Sequence, residues 1–81
     1  MSKELKIFAA MKDIGGMQVI MPIVSQLRAD GHAVQIITPT KSVAGDQLAK
    51  AGANFIRSDS PEVVIAYVGK PDIFITSKDS N

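Results

Sequence analysis

Residues 5–38, LKIFAAMKDIGGMQVIMPIVSQLRADGHAVQIIT, decide the fold of this 81-residue chain. Two short apolar runs, residues 5–10 and 33–38, each have the length of a buried strand. Between them, residues 17–30 carry apolar side chains at helical spacing, and Gly31 follows in the position typical of a glycine that ends a helix. The stretch predicts strand, helix, strand, and the two strands are parallel because a helical crossover joins them.

The rest of the chain continues this alternation. The pattern predicts a helix over residues 42–51, a weaker strand over 53–57, a helix over 60–68 and a strand over 72–76. The third helix is the least obvious, since Val63 and Val64 would also suit a strand. Ser60, Pro61 and Glu62 favour the helix, because they supply a capping hydroxyl, a proline at the first helical position and an acid near the positive end of the helix dipole.

These elements predict an α/β fold, a small Rossmann-like unit of three layers with four parallel strands and three helices. Right-handed crossovers place the first two helices on one face of the sheet. If the fourth strand pairs with the first, the strand order is 3-2-1-4 and the third helix lies alone on the other face.

We expect residues 1–81 to form one Rossmann-like domain and that domain to be incomplete. Parallel sheets are normally covered on both faces, and one short helix is too small to cover four strands. We therefore expect a further C-terminal domain or a partner protein to cover the remaining face and edge, so that this chain is the N-terminal part of a longer two-domain protein.

Composition excludes several classes of function. The formal net charge is +1 and the basic residues are scattered, which argues against nucleic-acid binding. The chain has no cysteine and a single histidine, His32, so neither a thiolate nor a histidine metal site is expected. No apolar run reaches the length of a membrane span, and no cofactor motif is present. We expect a cytoplasmic protein without a membrane span, a metal or a bound cofactor.

A ligand site is expected at the carboxyl ends of the strands, where the strand order reverses between the first and the fourth. Two segments meet there, residues 12–17 and 77–81, and loops 38–41 and 57–60 open onto the same edge. Glycines before a helix allow close approach to a ligand, and the helix start favours an anion. The candidate ligand-binding residues are Lys12, Asp13, Gly15, Gly16, Met17, Ser77 and Lys78.

Each of these assignments has a purely structural alternative. The two glycines can serve only to turn the chain from strand to helix, and Asp13 can serve as a helix cap. Lys12 can be a solvated surface residue, and the polar tail that contains Ser77 and Lys78 can simply fray. The sequence leaves these alternatives open.

Several segments together resemble the N-terminal domain of the GT-B glycosyltransferases and the related nucleotide-sugar epimerases. The first strand, the pair Gly15-Gly16 and the run Gly31-His32-Ala33-Val34 resemble the opening strand–helix–strand unit of these enzymes. The resemblance continues through Pro22, Leu27, Ala51-Gly52-Ala53-Asn54-Phe55 and Pro71-Asp72-Ile73-Phe74-Ile75-Thr76. It implies an acceptor-side domain whose glycine loop faces a cleft for a nucleotide-sugar. Met17 stands where many members carry histidine, so no catalytic residue is assigned.

Three functions follow as expectations. The first is the N-terminal, acceptor-side domain of a glycosyltransferase-like enzyme, not active alone. The second is a small module that binds a nucleotide or a phosphorylated ligand through Lys12 and the glycine pair. The third is a protein-interaction or regulatory domain that docks through an uncovered sheet face.

Overall fold

The computed structural model describes residues 4–76 and contains, within them, four strands and three helices. In chain order these are β1 (Lys6–Ala10), α1 (Ile14–Ala29), β2 (Ala33–Thr38), α2 (Val43–Lys50), β3 (Ile56–Arg57), α3 (Pro61–Val68) and β4 (Ile73–Thr76). None of the helices in this part of the chain has the length and apolar character needed to cross a membrane.

The strands form one parallel sheet in the order β3-β2-β1-β4, as the sequence predicts. β1 is central and pairs on both sides, with Phe8 opposite Gln35 of β2 and Phe74 of β4. Because the strands are parallel, all four carboxyl ends lie along one edge of the sheet. The fold is therefore a small α/β unit of Rossmann-like type.

Alternate residues of the central strands face two separate apolar layers. On one face, Ala9 and Ile36 pack with Ile20 and Val24 of α1 and with Leu48 of α2. All five side chains are at most 2 % exposed. This layer exists because α1 presents apolar residues at helical spacing and both crossovers lie on the same side of the sheet.

The opposite face is covered by α3. Phe8 and Ile37 pack there against Val64, and all three are buried. Coverage falls off toward β4, whose Ile73 and Phe74 remain 43 % and 42 % exposed. The central strands are thus enclosed on both faces while β4 is partly open on both.

Two element boundaries differ from the sequence prediction by more than one residue. α1 begins at Ile14 and not at residue 17, because Asp13 caps it and the glycine pair adopts helical backbone angles inside its first turn. β3 is limited to Ile56–Arg57 where residues 53–57 were predicted. The backbone N–H of Ala53 donates to the carbonyl of Leu48, so the segment before β3 still belongs to the end of α2.

The cap of α3 also differs from expectation. Ser60 occupies the N-cap position with extended backbone, but its side chain makes no capping hydrogen bond. Its hydroxyl donates instead to the Glu62 carboxylate at 2.7 Å. The helix forms with proline at its start and Glu62 in its first turn, two of the three features that predict it.

Gly45 in α2 marks a close approach between that helix and the sheet. A Cβ at this position would lie 2.7 Å from Arg57 Nη1 and 2.9 Å from both Ser42 Oγ and Thr38 Oγ1. We expect Gly45→Ala to lower the free energy of unfolding by about 1–2 kcal/mol, because overpacking outweighs the gain in helix propensity. Urea unfolding followed by circular dichroism measures the change.

Gly15→Ala is the matched control for Gly45→Ala. The nearest atom to a Cβ at Gly15 is Asp13 Oδ1 at 3.7 Å, an ordinary contact on an exposed turn of α1. The same substitution is therefore expected to be neutral or to stabilise by up to about 1 kcal/mol. Equal effects at the two glycines would contradict the packing described for α2.

Candidate ligand-binding site at the carboxyl edge of the sheet

A pocket of about 290 Å³ lies at the carboxyl ends of the strands. This volume is at the lower end of the range of about 300–1,000 Å³ that ligand pockets occupy, so it suits one ring system and not a dinucleotide. Within residues 4–76, the segments that line it come from four different parts of the chain. They contribute Ala10, Met11, Lys12, Ile37, Thr38, Pro39, Ser58, Asp59, Phe74 and Thr76.

The floor of the pocket is apolar and lies on the α3 side of the sheet. Ala10 is in register with Ile37 of β2 and with Thr76 of β4, so these three side chains share one face. Phe74 lies two residues before Thr76 on the same face and meets Phe8 edge to face, with ring centroids 6.0 Å apart. Phe74 is thereby fixed on one side and left accessible on the other.

A carboxylate held in a fixed orientation lies at the rim. Both oxygens of Asp59 accept hydrogen bonds from Thr40: the backbone N–H donates at 3.0 Å and the hydroxyl donates at 2.8 Å. These two bonds, the backbone one first, hold the pKa of Asp59 below its ordinary value near 3.8. Asp59 is therefore ionised at neutral pH and acts as a hydrogen-bond acceptor.

Arg57 links the end of β3 to the loop after β2 and to α2. Its guanidinium donates to the Thr40 carbonyl and to Asp46 Oδ1, each at 3.4 Å, and lies 5.3 Å from the centre of the Phe55 ring. Four side chains and their loops are thus connected in series: Asp46 bonds to Arg57, Arg57 bonds to Thr40, and Thr40 bonds to Asp59. This network positions Thr40, and Thr40 in turn positions the carboxylate.

The loop after β2 is stabilised by its own side chains. The hydroxyls of Thr38 and Ser42 both donate to the Pro39 carbonyl, each at 3.3 Å. Ser42 also accepts from the Gly45 N–H at 3.0 Å as the N-cap of α2. Thr38 is 1 % exposed, so its hydroxyl serves this loop and not the solvent.

The structure brings only part of the predicted site together. Lys12 lines the pocket. Asp13 caps α1 by accepting from the Gly16 N–H at 2.6 Å, and its carbonyl accepts from the Met17 N–H at 2.9 Å. The Gly16 N–H, one of the helix-start amides that an anion would use, is therefore already bonded within the chain, and Gly15 lies exposed in the same turn.

Ser77 and Lys78, the other two candidates, lie outside the described residues. Three residues that line the pocket, Ser58, Asp59 and Phe74, are not among the ligand-binding residues that the sequence predicts. A usable signal for Ser58 and Asp59 is their position directly after the third strand, at the same edge as the other loops. Phe74 has no comparable signal, because an aromatic residue inside an apolar run is typical of any core.

The Asp13 cap can be tested by stability. We expect Asp13→Ala to reduce the free energy of unfolding by about 1 kcal/mol, because the Gly16 N–H loses its acceptor. The measurement is urea unfolding at neutral pH. Gln18→Ala, an exposed change in the same helix, should alter stability by less than about 0.5 kcal/mol; a loss as large as that of Asp13→Ala would contradict a specific capping role.

The Asp59–Thr40 contact predicts a pH dependence. A folded-state pKa below the unfolded one means that Asp59 favours the folded state fully above the ordinary pKa, and that this contribution is lost as the pH falls through the folded pKa. Carbon-13 titration of the Asp59 carboxyl should give a midpoint below 3.8, and Thr40→Val should raise it. A wild-type midpoint at or above 3.8 would contradict the two hydrogen bonds.

No protein-family model matches the chain, and neither a curated protein nor a solved structure shows significant similarity to it.

Proposed function

We propose that this chain is a ligand-binding α/β unit that takes a small ring compound into the pocket at the carboxyl edge of its sheet. The observation that carries this proposal is the combination of an apolar floor, formed by Ala10, Ile37 and Phe74, with a fixed carboxylate at the rim, Asp59. Ligand pockets are typically of this kind, mostly apolar with a few placed polar groups.

The location of the pocket supports the proposal independently. In open α/β sheets, ligands bind beyond the carboxyl ends of the strands where the strand order reverses. Here the order reverses between β1 and β4, and both strands contribute to the pocket through Ala10, Phe74 and Thr76. The site thus coincides with the position that the topology favours.

The charges at the rim favour a neutral or singly charged ligand. Among the lining residues that the structure describes, Lys12 supplies one positive charge and Asp59 one negative charge, so their formal charges cancel. A free phosphate would meet the Asp59 carboxylate as a like charge, which is unfavourable. A nucleotide-sugar or another phosphorylated ligand would therefore place its ring over the apolar floor and its phosphate away from Asp59.

A second candidate function is the acceptor-side domain of a glycosyltransferase-like enzyme. Its support is the sequence resemblance together with the partly open β4, where Ile73 and Phe74 are accessible beside the pocket. In that arrangement a second domain would close the pocket into a cleft. The chain would then bind one substrate and leave the donor and the chemistry to the other domain.

Amide chemical-shift titration tests the proposal. Adenosine, uridine, UDP-glucose and inorganic phosphate are each added to the labelled chain up to about 10 mM, ten times a Kd of about 1 mM, a modest affinity expected of an open pocket. We expect one or more of the ring compounds to shift the amides of Ala10, Thr38, Ser58 and Phe74. Shifts confined to residues 14–17, or none in any titration, would contradict the proposed pocket.

A further inference from the structure

We propose that the Asp59 carboxylate recognises two neighbouring hydroxyl groups of a sugar ring whose apolar face lies on the pocket floor. This inference rests on the proposed function and adds the chemical class of the ligand. The shared chemistry is a vicinal diol, whether it comes from the ribose of a nucleoside or from a hexose.

The first support is the hydrogen-bonding capacity that remains on Asp59. An ionised carboxylate has about four lone-pair sites on its two oxygens. Thr40 uses one site on each oxygen, Oδ1 through its N–H and Oδ2 through its hydroxyl. Each oxygen therefore keeps acceptor capacity, and two acceptors side by side match the spacing of two neighbouring hydroxyl donors.

The second support is that the carboxylate is held before a ligand arrives. Thr40 fixes both oxygens, and Arg57 holds the Thr40 carbonyl while it pairs with Asp46. Binding therefore does not have to order the Asp59 side chain, a cost that otherwise weakens a polar contact at an exposed site. Thr40 is a positioning residue in this arrangement.

The third support is the contrast between the floor and the rim. A sugar ring has C–H groups on its faces and hydroxyl groups along its edge. The floor offers Ala10, Ile37 and the accessible side of Phe74 to a face, while Asp59 and Ser58 lie at the rim. A purely apolar ligand would leave the remaining acceptor capacity of the Asp59 carboxylate unused, and a phosphate would be repelled by its charge.

The test centres on uridine and 2′,3′-dideoxyuridine, two ligands that differ only in the diol. Uridine and methyl α-glucopyranoside are titrated alongside 2′,3′-dideoxyuridine and inorganic phosphate, with the amides of the pocket as readout. We expect uridine, the glucoside or both to bind, and removal of the diol from uridine to weaken its binding about tenfold or more, as the loss of hydrogen bonds to a charged group does. Binding of uridine but not of the glucoside would indicate a nucleoside ligand. Binding of the glucoside but not of uridine would indicate a hexose.

Two aspartate variants complete the test. Asp59→Asn should weaken diol binding about tenfold. Asp30→Asn, the matched change at the C-terminal end of α1, should leave binding unchanged. Binding of uridine that is indifferent both to the diol and to Asp59→Asn would overturn the diol inference and leave the proposed pocket intact. Failure of every ring compound to shift the pocket amides would overturn both.

Discussion

Phe8→Ala is expected to destabilise the protein by about 3–5 kcal/mol, the usual loss for removing a buried phenyl ring. Phe8 is fully buried between Ile37 and Val64, in the layer that joins the central strand to α3. A domain of this size has a total stability of about 4–12 kcal/mol, so the variant should be partly or largely unfolded at 25 °C. Urea unfolding followed by circular dichroism, with Phe8→Leu as a milder step, measures the loss.

Tyr67→Ala is the control for the Phe8 prediction. Tyr67 lies on α3, the same helix that covers Phe8, but its side chain is 86 % exposed. Its removal should change the free energy of unfolding by less than about 0.5 kcal/mol. If Phe8→Ala cost no more than Tyr67→Ala, the layer between the sheet and α3 would not be a packed core.

Ala10→Phe is expected to abolish ligand binding at the carboxyl edge while the chain stays folded. Ala10 is the floor residue at the end of β1, and the 290 Å³ of space above it can receive a larger side chain without displacing the buried core. We expect affinity for any ring compound that binds the wild type to fall by about a hundredfold or more, equivalent to about 2.8 kcal/mol. Amide-shift titration of the variant provides the measurement.

Ala49→Phe provides the same substitution away from the site. Ala49 is exposed near the C-terminal end of α2, at the opposite edge of the sheet from the pocket. This variant should bind as the wild type does. Wild-type affinity in Ala10→Phe, with the fold confirmed by circular dichroism, would mean that ligands do not enter this pocket.

Much of the fold could be predicted because the determining signals are local. Three of the four described strands lie in short apolar runs, and the helix α3 was predicted correctly, against its β-branched composition, from Ser60, Pro61 and Glu62. The crossover rule placed the first two helices on one face of the sheet, and the order 3-2-1-4 followed once the fourth strand was assumed to pair with the first. The start of α1 was predicted too late because Asp13, which could equally lie in a loop, caps the helix. The start of β3 was predicted too early because Ala53, which would suit a strand, bonds back to the end of α2.

The site could be predicted only as a location. The topology predicts that these loops lie at one edge of the sheet, where the structure has a pocket, and Lys12 lines that pocket. The pocket itself depends on which face of β1, β2 and β4 is left open at that edge, and this is decided by where α3 packs. Asp59 was not predicted as a site residue because its role comes from Thr40, nineteen residues earlier, and no sequence pattern links the two.

In the proposed binding mode, ligands enter above Ala10, between β1 and β4, and are held at Asp59. Intermolecular nuclear Overhauser effects from bound uridine test it most directly. We predict contacts from the ligand protons to the methyl groups of Ala10 and Ile37 and to the ring of Phe74. Contacts to the methyl group of Met17 at the start of α1, without any to Ala10 or Phe74, would contradict the claim and return the site to the glycine pair.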